Sequence, residues 1–177
     1  EIYDYFRLLF SSVGVPHCPS CKIPIKSSSI QEIVDTIYQW KQDNVVTILA
    51  PLIENRKGEF QDIFEQLQKG GFRRVWVDGT IYRLDEPIKL NKKVPHTVKL
   101  IVDRLSLDPD ERSRVFESVE CACQQSEGLV EVVCEDDDSR RVFSEKLTCP
   151  SCSFSLTELS ARLFSFNSPI GACKTCN

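Results

Sequence analysis

Three Cys-x-x-Cys pairs are the part of this sequence most able to do chemistry. They are Cys18/Cys21, Cys149/Cys152 and Cys173/Cys176. Two residues between cysteines let one turn of backbone present two thiolates to a single metal ion, and zinc(II) prefers four ligands in a tetrahedron. The second and third pairs are separated by twenty residues, which is the spacing of a four-cysteine zinc site. We therefore predict a zinc site made by the last two pairs, Cys149, Cys152, Cys173 and Cys176.

The first pair is harder to assign, because three pairs supply six thiolates whereas two zinc ions need eight ligands. Cys18 and Cys21 could join the second pair in a ribbon. They could instead bind a separate metal together with His17 and a ligand from outside the chain. The spacing of the pairs also fits an iron site of rubredoxin type. The sequence leaves these alternatives open.

The residues around the pairs resemble those of zinc knuckles, in which a tight turn aims backbone N–H groups at sulfur. Pro19 and Pro150 each follow the first cysteine of a pair. Glycine is common after the second cysteine, because that position takes a left-handed conformation. Here Lys22 and Ser153 occupy it, so we expect less regular turns. Gly171 precedes the third pair and could supply a tight turn there.

The other cysteines have no paired spacing, and we predict that they are buried as small apolar side chains: Cys121, Cys123 and Cys134. No motif in the sequence indicates catalysis. A phosphate-binding Gly-x-x-x-x-Gly-Lys-Ser/Thr loop is missing, and His17 and His96 lack a nearby nucleophile signature. The acidic run 136–138 has the character of a solvated turn. We predict no active site inside this chain.

Composition describes an ordinary globular protein, with 41% hydrophobic and 27% charged residues among 177. No apolar run approaches the length of roughly 18 residues that a membrane helix needs. Nine cysteines, odd in number and clustered in pairs, favour a reducing cytoplasm over a disulfide framework. The net charge of −4 argues against nucleic acid covering the whole surface, although residues 148–177 are locally neutral to basic.

Periodicity predicts an α+β domain over residues 27–145, a mostly antiparallel sheet with two or three helices. Its signals include a capping box from Ser29 to Glu32, an apolar strand over 45–52 and a polar loop over 53–59. Further signals are a helix over 60–67, an Asp78-Gly79 hairpin turn, a strand over 97–105 and a helix start at Asp108-Pro109.

We expect this domain to be inserted on a zinc-braced, cysteine-rich stem. The stem would consist of a helix and the first cysteine pair in residues 1–26, and of a C4-type zinc module in residues 146–177. The sequence has no methionine and begins inside a helical pattern. We therefore expect the chain to be a segment of a longer protein.

Basic side chains recur through the predicted central strands: Arg73, Arg74, Arg83, Lys89, Lys92, Lys93 and Arg104. They could form a solvated strand face, with arginines such as Arg74 and Arg104 paired inside the domain to Asp78 or Asp103. They could instead bind the carboxylates of a partner, since arginine holds a carboxylate through two parallel hydrogen bonds. On a chain of negative net charge, a protein partner fits such a patch better than DNA.

Several stretches together resemble the inserted region of the UvrA family, the damage-sensing ATPases of bacterial nucleotide excision repair. The resemblance covers almost the whole chain and is most specific where residues 162–169 run into Gly171-Ala172-Cys173-x-x-Cys176. The other matching stretches are residues 1–10, His17-Cys18-Pro19-x-Cys21, Leu49-Ala50-Pro51, Arg56-Lys57-Gly58-Glu59, Gly71-Phe72-x-Arg74, Val77-Asp78-Gly79 and Val102-Asp103-Arg104.

The resemblance implies that the central domain docks the helicase subunit UvrB and that the cysteines bind zinc. Arg74 and Arg104 stand in matching motifs and become the first candidates for partner binding, followed by Arg56, Lys57 and Lys93. The family's ATP-binding loop would precede residue 1 and its signature motif would follow residue 177. The longer protein would be a homodimer that binds DNA and ATP. Lys174 departs from a proline that is common in the family.

A second function remains open from the residues themselves. The chain could be a zinc-ribbon element that binds nucleic acid, with the middle domain only a spacer. A steep dependence of DNA binding on salt would favour that function, whereas saturable binding to UvrB without DNA favours docking.

Overall fold

The computed structural model describes residues 2–40, 44–136, 139–149, 151–152, 154–156, 159–168 and 170–172. The chain divides into two compact units. The sheet unit is Ser28–Glu145, and the cysteine unit is made of Glu1–Ser27 and Lys146–Asn177. No helix in the described ranges has both the length and the apolar character needed to span a bilayer.

The sheet unit contains six strands in the order β3-β2-β4-β1-β5-β6, and each neighbouring pair is antiparallel. The strands are β1 Val45–Lys57, β2 Arg74–Val77, β3 Thr80–Arg83, β4 Pro95–Ser106, β5 Leu129–Cys134 and β6 Arg140–Ser144. The described helices are α1 Ile2–Val13 in the cysteine unit and, in the sheet unit, α2 Ile30–Ile37, α3 Gln61–Lys69 and α4 Arg112–Gln125. The predicted α+β fold with a mostly antiparallel sheet is confirmed.

The core of the sheet unit forms where these three helices bury their apolar stripes against one side of the strands. Ile33 and Ile37 of α2 and Val115 of α4 are fully buried there, together with Ile48 of β1 and Leu100 of β4. Burial of such side chains stabilises a domain by about 1.5–3 kcal/mol each. Successive strand residues point to opposite faces, so the alternate positions of the same strands lie outside this core.

The ends of the helices and hairpins follow the sequence signals closely. Ser29 and Glu32 form the predicted capping box at the start of α2. The side chain of Asp108 accepts the N–H of Asp110 before the turn that leads into α4. Asp78 and Gly79 have φ values of 48° and 95°, as the tight β2–β3 turn requires. These local predictions are confirmed.

The polar loop predicted over residues 53–59 is wrong, because β1 continues to Lys57. Its partner β4 extends equally far and pairs with it as far as Lys57 opposite Pro95. Three register shifts along this ladder absorb the irregular positions, which include Pro51. On its other side β1 pairs with β5 only from Val46 to Leu49, so the missing N–H of Pro51 breaks no β5 hydrogen bond.

The face opposite the core carries a buried ion pair. Lys99 Nζ lies 2.5 Å from Glu131 Oε2, and the two side chains are only 13% and 5% exposed. The same ammonium group stands 4.9 Å from the centre of the Trp76 ring. Removing one partner of such a pair leaves an uncompensated buried charge. The middle strands are therefore linked by charge on the face that the helices leave open.

His96 fastens the β2–β3 turn to the start of β4. Its Nδ1 lies 2.5 Å from Asp78 Oδ2 and its Nε2 lies 3.0 Å from the carbonyl oxygen of Asn91. Both partners are acceptors, so only the doubly protonated imidazolium can donate to both. The hydrogen bond to Asp78 raises the pKa of His96 above its ordinary value of 6.5. Burial tends to raise the pKa of Asp78, but hydrogen bonds from His96 and the Thr97 N–H lower it below 3.8.

We expect this contact to make the sheet unit more stable in mild acid than in base. A raised histidine pKa gives a contribution that is complete below pH 6.5 and is lost as pH rises through the folded-state pKa. The lowered pKa of Asp78 sets the acid limit, because its contribution is lost as pH falls below about 3.8. The stability lost in His96→Gln should therefore be largest near pH 5–6 and shrink towards pH 9.

Denaturant unfolding followed by tryptophan fluorescence measures this, since both tryptophans, Trp40 and Trp76, lie in the sheet unit. Asp78→Asn should show the same loss of pH dependence as His96→Gln. If the free energy of unfolding differs between wild type and His96→Gln by the same amount from pH 5 to pH 9, the charged contact between His96 and Asp78 is contradicted.

Candidate metal centre and partner-binding residues

The first Cys-x-x-Cys pair sits in a tight loop between Pro16 and Ile25. The N–H of Cys18 donates to the Ile23 carbonyl at 2.9 Å, and the N–H of Lys22 donates back to the Cys18 carbonyl at 2.9 Å. The N–H of Cys21 points at Cys18 Sγ, 3.3 Å away. Lys22 has a φ of 61°, so this turn takes the left-handed conformation although it lacks glycine.

The second pair lies in a similar loop. Strands β7 (Leu147–Thr148) and β8 (Ser155–Leu156) pair antiparallel on either side of it. The N–H of Cys149 donates to the Phe154 carbonyl at 2.7 Å. Cys149 is fully buried with Cys18 and Ile25 in a small apolar cluster, against which Phe154 packs. Two short loops far apart in sequence thus share one small core.

The four thiols of these loops come together. The sulfur atoms of Cys18, Cys21, Cys149 and Cys152 all lie within 4.8 Å of one another. Four sulfurs at about 2.3 Å from a tetrahedral zinc ion lie about 3.8 Å apart. The cluster therefore has the donor set and the dimensions for a thiophilic metal ion. It corresponds to the ribbon arrangement, one of the alternatives that the sequence left open for the first pair.

The other predicted metal ligands are Cys173, Cys176 and His17. Cys173 and Cys176 lie outside the described residues, so their part in a zinc site stays a prediction. His17 is exposed, and its Nδ1 lies 2.9 Å from the Val15 carbonyl oxygen. It is not a member of the four-thiol cluster. Within the described residues, the thiols of the second pair thus approach those of the first pair, and His17 does not take part in the cluster.

Crowding of the thiols perturbs their ionisation. The hydrogen bond from the Cys21 N–H lowers the pKa of Cys18 to about 6. The contact with the Cys152 thiol raises the pKa of Cys21 to about 12. One thiolate therefore forms readily, whereas further ionisation without a cation places like charges side by side. A bound dication removes this penalty for every thiol that it contacts.

The three unpaired cysteines lie in the sheet unit. Cys123 and Cys134 are buried, as predicted, whereas Cys121 is only partly buried. The side-chain amide of Asn44 donates to Cys134 Sγ at 3.2 Å. Burial raises the pKa of the Cys121 thiol. Of the three, Cys123 belongs to the apolar core of the sheet unit.

Arg74 is exposed on β2 and forms no ion pair with any described residue. Its direct cross-strand neighbour is Arg83 of β3. Arg83 has a partner of its own, because its Nε and terminal nitrogen donate to both oxygens of Asp85 at 3.0 and 2.6 Å. Arg74 is thus a guanidinium held on a strand with its donors available.

Arg104 of β4 is held inside the sheet unit by a residue that sequence reasoning missed. It donates to both carboxylate oxygens of Glu135 at 2.7 and 2.6 Å. The hydroxyl of Thr47 donates to the same carboxylate at 2.7 Å. The side chain of Asp103 instead accepts the Arg104 backbone N–H and pairs with Arg114. Glu135 follows β5 and is distant from Arg104 in the sequence, so no local pattern links the two residues.

The carboxylate of Glu135 orients Arg104 without using all its donors. The hydrogen bond from Arg104 lowers the pKa of Glu135, so the pair stays charged at neutral pH. Two of the guanidinium nitrogens contact Glu135, which leaves the third to contact another carboxylate. Arg56 and Lys57 are exposed at the end of β1, and Lys93 is exposed just before β4.

The sheet unit matches a known protein family. The sequence profile of the UvrA interaction domain matches residues 28–136, all within the sheet unit. The chain belongs to the UvrA interaction domain family. Arg74, Arg104 and Glu135 all fall within the matched residues of the family.

Full-length relatives extend the match into the cysteine unit. UvrABC system protein A of Aquifex aeolicus is 46% identical over 176 residues, which are 99% of this chain and 19% of that protein. The proteins of the same name from Neisseria meningitidis and Thermus thermophilus are each 44% identical, over 100% of this chain and 19% of theirs. The chain spans about a fifth of the length of these relatives.

We expect wild type to bind a metal ion and Cys18→Ser to lose it, because the four thiols lie close enough to form one site. Structural zinc contributes an apparent 10–16 kcal/mol or so in small domains, so losing one ligand should unfold the cysteine unit locally. Elemental analysis after dialysis measures the metal content, and tryptophan fluorescence shows whether the sheet unit stays folded. Cys121→Ser is the matched control and should retain the metal. Unchanged metal content in both Cys18→Ser and Cys149→Ser would rule the site out.

The left-handed turn at Lys22 gives a second expectation. Glycine takes this conformation without steric cost, so Lys22→Gly should stabilise the loop by about 1 kcal/mol or less. Metal affinity measured against a competing chelator should tighten by up to about fivefold. Lys26→Gly is the control, since Lys26 does not have a positive φ. If Lys22→Gly and Lys26→Gly change the metal affinity equally, the turn at Lys22 carries no strain.

Proposed function

We propose that this chain docks UvrB and helps load it onto damaged DNA in nucleotide excision repair. The observation that carries the proposal is the match of the sheet unit to the UvrA interaction domain. The relatives carry the name UvrABC system protein A, which supports an interaction with another component of that system. The exposed Arg74 supports a partner that offers carboxylates.

In this proposal the two units have separate tasks. The sheet unit presents arginines from a rigid sheet, and a rigid support lowers the conformational entropy lost on binding. The cysteine unit binds zinc through Cys18, Cys21, Cys149 and Cys152, since four thiolates in a tetrahedron suit zinc(II) and offer no open position for catalysis. The zinc ion braces two loops that have only a small apolar cluster between them.

The wider setting is also proposed. The longer protein binds ATP and DNA through segments outside this chain, as a homodimer in the cytoplasm. No catalytic step is assigned to the residues of this chain. Its task is interaction, and its activity is therefore measured as binding.

Docking is tested by titrating UvrB into the metal-loaded chain in a calorimeter, without DNA. Saturable binding that survives moderate salt supports the proposal. Repeating the titration after chelation separates the units, since the sheet unit should retain most of the affinity. If instead the chain binds DNA with a steep salt dependence and ignores UvrB, the alternative of a zinc-ribbon nucleic-acid element is correct.

Charge reversal at Arg74 should weaken UvrB binding by roughly 2–4 kcal/mol, because an anchor arginine loses its carboxylate partner. Arg104→Ala should weaken binding similarly but should also reduce the stability of the sheet unit by about 1 kcal/mol or less, since it breaks a partly exposed pair with Glu135. Lys26→Glu, with the same charge change in the cysteine unit, is the control. UvrB affinity that survives Arg74→Glu in a folded chain would place the docking surface elsewhere, with Lys57 and Lys93 next to be tested.

A further inference from the structure

Two arginines stand directly opposite each other on neighbouring strands, where like charges normally destabilise a sheet. Arg74 of β2 pairs in register with Arg83 of β3. Asp85 relieves this repulsion only for Arg83, whose two nitrogens it holds at 3.0 and 2.6 Å. Glu86 adds a weaker contact to Arg83 at 3.9 Å. Among the described residues, Arg83 therefore has carboxylate partners and Arg74 has none.

Arg74 lines a cleft of about 500 Å³. The cleft lies between the end of α3 and the base of the β2–β3 hairpin, and its lining is Gln68, Phe72, Arg73, Arg74, Arg83 and Asp85. Neither Arg73 nor Arg74 forms an ion pair with the residues described. Gln68 offers an amide donor, and the half-buried ring of Phe72 offers an apolar surface. These are the groups that surround a carboxylate in a peptide, with its methylene stem on the ring.

Asp85 gives the cleft a negative charge of its own. Its hydrogen bond with Arg83 lowers its pKa, so it is ionised at neutral pH. With three arginines and one aspartate, the cleft has a net positive charge that a small amount of added negative charge neutralises. A nucleic acid brings a series of closely spaced phosphates, roughly one charge per 1.7 Å of duplex axis. A phosphate placed on Arg74 would bring the next phosphates towards Asp85 and Glu86.

We infer that this cleft accepts one carboxylate from an acidic segment of the docked protein, and that Asp85 excludes the phosphate backbone of nucleic acids. Arg73, Arg74 and Gln68 bind the carboxylate, and Phe72 contacts its stem. Asp85 is a specificity residue: it neutralises Arg83 and repels a polyanion. The inference rests on the proposed docking of UvrB and adds the chemistry that separates a protein partner from DNA.

The test compares Asp85→Asn with Asp62→Asn in the full chain. Both variants remove one negative charge, but Asp62 is exposed in the first turn of α3 and does not line the cleft. Affinity for UvrB and for a short DNA duplex is measured over a salt series. In Asp85→Asn we expect DNA affinity to rise several-fold at low salt and its salt slope to steepen by about one. Asp62→Asn should leave both quantities near wild type.

A double variant shows whether the gain arises in the cleft. Asp85→Asn combined with Arg74→Gln should lose the added DNA affinity, because the phosphate then lacks its arginine. If the two single variants raise DNA affinity equally, the effect is one of net charge and the role of Asp85 is overturned. If wild type already binds DNA in a way that Arg74→Gln abolishes, nucleic acid is the ligand and the inference is also overturned.

The outcomes separate this inference from the proposed function. Wild type that fails to bind UvrB overturns docking, whatever happens with DNA. Wild type that binds UvrB, with DNA affinity unchanged in Asp85→Asn, overturns the selectivity of the cleft and leaves docking intact. Arg74→Gln should weaken UvrB binding at least tenfold, and a smaller effect removes the cleft from the docking surface.

Discussion

The ladder between β1 and β4 is the interaction on which the sheet unit depends. These are its longest strands, and they pair from Val45 opposite Ser106 to Lys57 opposite Pro95. On one side β5 pairs with β1 and β6 pairs with β5, and on the other side β2 pairs with β4 and β3 pairs with β2. Because backbone hydrogen bonds satisfy the buried polar groups of both strands, their apolar residues can line one core. The register shifts in the ladder let a proline-containing strand remain in the middle of the sheet.

Once that ladder is fixed, the two faces of the sheet have different tasks. One face is covered by three helices and is apolar. The other carries charge, with Lys99 of β4 and Glu131 of β5 buried against each other across β1, and Arg104 held by Glu135. Most of these charges are compensated within the domain. Arg74 has no ion-pair partner among the residues that the structure describes, and such a charge on a surface where most charges are paired is a natural anchor for a partner.

The cysteine unit uses a different source of stability. Its described core is a small cluster around Cys18, Ile25 and Cys149, too little apolar surface to order two loops by burial alone. Four thiols converging within 4.8 Å are costly to ionise without a cation, as the opposite pKa shifts of Cys18 and Cys21 indicate. In the proposed function, a metal ion bound by these thiols supplies the energy that the apolar cluster lacks. The same bracing would hold the left-handed backbone at Lys22.

Features that depend on neighbouring residues could be predicted from the amino-acid order alone. Capping by Ser29 and the Asp78-Gly79 turn are local, and both were predicted correctly. The extent of β1 was not, because a polar stretch becomes a strand only when β4 is present to pair with it. Family membership could also be reached from sequence, since short motifs persist along the chain.

Contacts between residues distant in the sequence were set by the folded chain. Folding brought Cys18 and Cys21 to Cys149 and Cys152, a choice that spacing left open because every pair has the same spacing. It gave Arg104 the partner Glu135 and, within the described part of the chain, gave Arg74 none, although both arginines look alike in sequence. It also placed Asp85 where its carboxylate accepts two hydrogen bonds from Arg83. Ion pairs and metal ligands depend on distances of a few ångströms, which are fixed only when the chain has folded.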